Sequence, residues 1–270
     1  KTIEGVGFKY FAFLYFLTRL TLGILYFINK SNIGFNKSIA KSIFVGGGLS
    51  LVSIALPRPI SYIVFLSGLV IEIVKHIHLS RHPFSSKIHR KHLAERVGLL
   101  TIILLGESVI SIASTVGDMD WTGPAVVAGF MGFVILGLIW WIFYDSYHVF
   151  DYAKKFKNES YLIYPNFFLC LGLISLANLI KHSITGDMLI KDFQVLAVFG
   201  MSMFYIGKQI PYMYLFSSMR KGIVLNSVAC IGITFISGFM PRVEFAIGTI
   251  LVAMLFYVYS NMKWVIPKDW

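Results

Sequence analysis

Residues His92 to Ser111 read HLAERVGLLTIILLGESVIS. The stretch places His92, Glu95, Arg96 and Glu107 on a segment otherwise apolar enough to cross a bilayer, where about 20 apolar residues in helical form span the hydrocarbon core. A charged side chain at the centre of such a helix costs about 2.5–3.5 kcal/mol, so it normally faces a bundle interior, pairs with another charge, or lines a path. The period-two alternation of a membrane strand is missing, which argues against a barrel.

The same texture continues on both sides. Of the 270 residues, 57% are hydrophobic and 14% charged, against about 25% charged in a soluble domain. Runs of roughly 20 apolar residues alternate with short polar breaks, as bilayer-crossing helices do. The expected fold is all-α, a polytopic transmembrane helix bundle with about nine spans: 6–28, 38–56, 58–79, 92–116, 122–147, 161–182, 192–216, 222–240 and 242–263. Gly46-Gly47-Gly48 in the second span would either admit a neighbouring helix closely or unwind the chain. Pro57 and Pro59 force a tight turn into the third. Every loop is short, so residues 1–270 are expected to form a single transmembrane helical domain.

Basic residues orient the bundle. With alternating loops, about fifteen Lys and Arg fall on one side, among them Lys75, Arg90, Lys154, Arg220 and Lys263, and about six on the other, including Arg58, Lys181 and Arg242. That bias puts the C-terminus in the cytoplasm. The net charge of +11 then belongs to topology and anionic headgroups, and no nucleic-acid surface is indicated. Cys170 and Cys230 each fall inside a span and outside any CxxC spacing, which fits small core residues rather than a disulfide or a metal pair. Five of the seven histidines lie between His76 and His92. Intervening Arg and Lys and the lack of Cys, Asp or Glu between the histidines make that segment a basic lipid-facing loop before a metal site, and no metal or cofactor is expected.

Within the fourth span, Arg96 and Glu107 are eleven residues apart. At about 100° per residue they fall within about 20° of each other, on one face with His92, Ile103, Ser111 and Ser114. They are separated along the axis by roughly 16 Å, too far for a direct pair, so Glu107 needs a partner from another helix or must carry a proton. Glu95 points about 120° away from Glu107. The bland alternative has His92, Glu95 and Arg96 snorkelling at the headgroups and Glu107 locking helix packing. Arg19, Glu72, Asp145, Lys208 and Glu244 are the other ionisable residues in or beside spans. Glu72 can pair locally with Lys75 or His76 at helical spacing, Lys208 is expected to snorkel to the cytoplasmic side, and Arg19 or Asp145 could meet Glu107 from another helix. The chain has no nucleophile elbow, P-loop, HExxH or dinucleotide fingerprint.

The run at 92–111, followed by LIWWIFYDSY (138–147) and YLIYPNFFLCLGLISLANLIKH (161–182), resembles the bacterial low-temperature-requirement A (LtrA) family. His92, Glu95, Arg96, Gly98, Leu99, Gly106, Glu107 and Ser108 match its H-x-A-E-R-F-G-L-F-x-I-I-x-L-G-E-S signature, with Val97 where the family usually has Phe. Trp140, Trp141 and Asp145 match its W-W-x-x-F-D-like segment, with Tyr144 before Asp145. FAFLYFLTRLTLGILY, carrying Arg19, is similar to an Arg-bearing helix of the family. Its usual E-L-F-F-D-L-V-F-V-like helix has no counterpart here, so N-terminal helices of the bundle are expected to be missing from this chain. The resemblance implies a multi-pass protein of the bacterial cytoplasmic membrane. The functional expectation is an ion or small-solute transporter or channel, with Glu107, Arg96, His92, Glu95, Arg19, Asp145 and Glu72 as its polar site. Its expected partners are the lipid bilayer and an ion or small solute, with homo-oligomerisation left open. The alternatives are an intramembrane lipid-acting enzyme, with a cavity open sideways to lipid, and a structural or partner-binding membrane protein with tightly paired charges.

Overall fold

The computed structural model describes residues 6–29, 33–80, 90–117, 121–145 and 160–265. Among them nine α-helices occur and no strand: α1 (Val6–Ile28), α2 (Ile33–Ala55), α3 (Ile60–Ser80), α4 (Arg90–Gly117), α5 (Gly123–Asp145), α6 (Ser160–Thr185), α7 (Ile190–Leu215), α8 (Arg220–Phe235) and α9 (Val243–Ser260). Eight stretches, Ser217–Phe239 around α8 among them, are long and apolar enough to cross a membrane. The exception is α7, which is as long as α6 but carries Lys191, Asp192, Gln194, Lys208 and Gln209. The chain is a helical membrane protein, and its large exposed apolar side chains agree with that: Tyr10, Leu14, Leu25, Phe130, Phe133 and Leu225 are all more than 60% exposed, which water would penalise and lipid would not.

The helices gather into two compact units, Lys1–Ile88 and His89–Trp270. In the first, α1 and α3 each pack against α2. Phe8, Ala12 and Phe65 form its small core, with Phe8 edge-on to Tyr62 at 4.7 Å and Tyr15 edge-on to Phe65 at 5.2 Å. Ser50 Oγ donates to the Ala12 carbonyl at 2.7 Å, tying α2 to α1. Apolar attraction between helices is weak in lipid, so contacts of this kind and close packing hold them together.

In the second unit α6 is central, touching α4, α5, α7 and α9. Leu173, Leu176, Leu179 and Ile180 of α6 are fully buried against Ile135 and Ile139 of α5, Met201 and Phe204 of α7, and Ile247 of α9. The α6–α7 pair is tight because glycines face backbone: a Cβ at Gly172 would come 2.5 Å from the Phe204 nitrogen, and one at Gly207 would collide with the Leu169 nitrogen. Ala94, Gly98, Thr101, Leu105, Ser108, Ile112 and Thr115 form the buried seam of α4, spaced alternately four and three residues as a helix face requires. Its hydroxyls are satisfied within the helix: Thr101, Ser108 and Thr115 donate to the carbonyls of Val97, Leu104 and Ser111.

Candidate functional site

Near the middle of α1, α2 and α3, about two turns or more from any helix end, charged side chains meet a glycine. Tyr15 and Arg19, four residues apart on α1, share one face. Arg19 Nε lies 3.1 Å from Glu72 Oε2 of α3, and the Tyr15 hydroxyl donates to the same oxygen at 3.3 Å. The Arg19 guanidinium also lies 4.7 Å from the centre of the Tyr15 ring. The Glu72 side chain is only 9% exposed and that of Arg19 31%.

The space for Glu72 is made by α2. A Cβ at Gly46 would collide with Glu72 Oε1, and a Cβ at Gly47 would come 3.1 Å from Arg19 Cβ. The triglycine run therefore admits close neighbours and stays helical throughout. Polar satisfaction at the site is incomplete. Glu72 Oε1 is buried without a hydrogen-bond partner, and Arg19 Nε is near enough for an ion pair but is itself without a hydrogen-bond acceptor. The local pairing of Glu72 with Lys75 or His76 that helix spacing allows is replaced by this cross-helix pair. The carboxylate turns inward past Gly46, whereas Lys75 is exposed.

The residues of α4 divide differently. His92 Nδ1 and Glu95 Oε2 are 3.2 Å apart as an exposed i,i+3 pair. Arg96 and Glu107 lie on the face opposite the buried seam and are exposed. Neither makes an ion pair or side-chain hydrogen bond among the described residues. Asp145 is the last residue of α5, and its side chain lies outside the described residues. So do residues 81–89, with most of the basic histidine segment; His76 and His78 lie on α3.

The family model for Bacterial low temperature requirement A protein (LtrA) matches residues 2–259. The chain belongs to the LtrA family. No curated protein and no solved structure matches it. In this LtrA chain the signature residues of α4 occupy both of its faces, with Gly98 and Ser108 in the buried seam and Arg96, Leu99 and Glu107 on the exposed side.

Two further polar groups of the LtrA chain differ from or add to the reading of its sequence. Lys208 does not snorkel. It is 9% exposed, and its Nζ donates to the Ile142 carbonyl and the Tyr212 hydroxyl, each at 3.1 Å. The bond to the Ile142 carbonyl ties α7 to α5, so the ammonium finds its partners inside the bundle. Thr101, Ile139, Phe143, Leu173 and Phe204 close the site around a space of about one water molecule. Next to it in sequence, Gln209 donates to the Tyr257 hydroxyl at 2.8 Å, joining α7 to α9.

At the other end of α6, Gly186 adopts φ +66° and its N–H bonds to the His182 carbonyl at 2.9 Å, a left-handed C-cap that glycine adopts without strain. The turn brings Asp187 Oδ1 to 2.6 Å from both the Thr185 hydroxyl and His182 Nδ1. Donation from Thr185, then from His182, holds the Asp187 carboxyl below its ordinary value.

Proposed function

We propose that this LtrA protein is a transporter or channel of the bacterial cytoplasmic membrane, moving an ion or small solute, with its C-terminus in the cytoplasm and its helices forming one membrane domain. The observation that carries the reading is the idle oxygen of Glu72. A carboxylate kept among apolar helices only to lock them together would use both oxygens, because a half-satisfied buried polar network is weaker than an apolar contact. Here Arg19 and Tyr15 share Oε2 while Oε1 stays buried and unpartnered. Ionisable groups inside membrane helices mark ion and substrate pathways by default.

Within the second unit, Glu107, near the middle of α4, is proposed as an acidic group of the path in its own right. Arg96 lies on its face one basic group nearer the cytoplasm, and the His92–Glu95 pair stands at the cytoplasmic end. Asp145 lies at the cytoplasmic end of α5 by the same orientation, which the excess of Lys and Arg supports.

The experiment is flux into proteoliposomes holding the full chain, under separate gradients of proton, sodium, potassium and chloride, with Glu107→Gln and Glu72→Gln beside the parent. The expected result is flux in the parent that at least one substitution abolishes or frees from its pH dependence while the protein elutes as a single folded species. Absence of flux under every gradient and for small organic solutes would remove the reading in favour of a structural role for the Arg19–Glu72 pair.

A further inference from the structure

The charge group of α1 and α3 is neutral as it stands, one guanidinium against one carboxylate. Arginine keeps its proton under all physiological conditions, so any change of charge there must fall on Glu72 or on something bound. Adding a metal cation would leave the apolar site positive, and adding an anion alone would leave it negative. Either excess is costly in a medium of low dielectric. An anion that arrives with a proton leaves the sum at zero.

The geometry fits that exchange. The ion pair runs from Arg19 Nε to Glu72 Oε2, and the terminal nitrogens of Arg19 donate no hydrogen bond to Glu72 among the described residues. Those nitrogens are the fork that recognises carboxylate and phosphate oxygens bidentately. Arg19 is the more open partner, 31% exposed against 9% for Glu72. On the Glu72 side, Oε1 is the oxygen without a partner, so a proton can settle there without displacing the Tyr15 hydroxyl from Oε2.

Resting on the transport reading above, we infer that the α1–α3 site takes a small oxyanion, a carboxylate or phosphate monoanion, on the terminal nitrogens of Arg19 while Glu72 takes up a proton. An O–H bond forms on Glu72 with a proton from the loading side. The anion replaces Glu72 as counter-ion to Arg19, and both are released together on the far side. The titratable groups facing Glu72 are Tyr15 and Arg19 of α1. The facing part of α2 is Gly46, Gly47 and Ser50, which carry none, and Lys75 and His76 lie about one turn further along α3 itself.

The test uses radiolabelled lactate and inorganic phosphate, with chloride as the non-oxyanion comparison, in proteoliposomes of the full chain with and without an inward proton gradient. The parent is expected to accumulate lactate or phosphate when the gradient is imposed, and to carry protons inward with it. Glu72→Gln is expected to let the anion enter without following the pH gradient. The double variant R19Q/E72Q leaves no lone buried charge, and it is expected to elute as a folded species and to lose anion entry about tenfold or more. Anion entry that survives R19Q/E72Q, or pH coupling that survives Glu72→Gln, overturns the inference. If the parent moves only cations and Glu72→Gln stops them, transport stands and the oxyanion is wrong. If nothing moves, both fall.

Discussion

Gly46 is the residue on which the α1–α3 site depends most directly, because it is what allows a carboxylate to sit against α2. Gly46→Ala places a methyl group on Glu72 Oε1, so the ion pair must break or α2 must move away. Overpacking of this kind costs about 1–3 kcal/mol, and the expected outcome is a lower melting temperature together with lost flux. Gly48→Ala, which meets nothing within 4 Å, is expected to leave both unchanged. Arg19→Gln alone strands Glu72 and should destabilise by about 3 kcal/mol or more, whereas R19Q/E72Q should recover most of that loss in a thermal melt. Little of this pairing was readable in the sequence. Arg19 and Glu72 stand out as charges in apolar runs, but Lys75 and His76 offer Glu72 equally good local spacing. Only the collision Gly46 avoids shows that the carboxylate turns to α1. The Asp187 carboxyl is a different case, outside the apolar spans. Because its folded value is depressed, its contribution is present above the ordinary carboxylate pKa of about 4 and is lost as pH falls through the lowered folded value. The parent should therefore melt above Asp187→Asn at neutral pH, and the two should converge as the pH falls through that lowered value.

At the scale of elements, the existence of the helices followed from apolar runs and their breaks: each of the nine expected spans overlaps a helix, and eight stretches rather than nine are long and apolar enough to cross. The exceptional element is α7. Its polar residues looked like end groups headed for the surface, yet Lys208 and Gln209 are buried and hold α5 and α9. A single sequence does not reveal this, because the position of a lysine along its own helix does not say whether it reaches the surface or a carbonyl of a neighbouring helix. The α4 face was readable in part. The spacing groups Arg96 with Glu107 correctly, and the structure adds that the opposite seam of small and hydroxyl residues is the one that packs. Glycine again sets the contact between α6 and α7. Gly207→Val drives a side chain into the backbone at Leu169 and Pro165, and should destabilise the second unit by about 1–3 kcal/mol. Hydrogen exchange would report this as faster exchange in α6 and α7 with α1–α3 unaltered. Lys208→Met removes the bond to the Ile142 carbonyl and should speed exchange in α5 in the same measurement.

For the whole molecule the controlling facts are apolar surface and basic asymmetry. Side chains such as Leu14, Phe133 and Leu225 are tolerated outward because lipid covers them, and the proposed orientation rests on the distribution of Lys and Arg. In a Cys170→Ser/Cys230→Ser background, a cysteine introduced at Thr185 should react with an impermeant maleimide in spheroplasts, and one at Lys221 only after lysis. The reverse pattern would invert the orientation. Transport itself is tested most directly by one comparison: solute and ion flux through the reconstituted full chain, parent against Glu72→Gln, with both proteins folded. A flux present in the parent, and either lost or freed from its pH dependence in the variant, is the predicted result. Identical flux in the two, or none in either under any gradient, would contradict a transport role for the charge pair between α1 and α3.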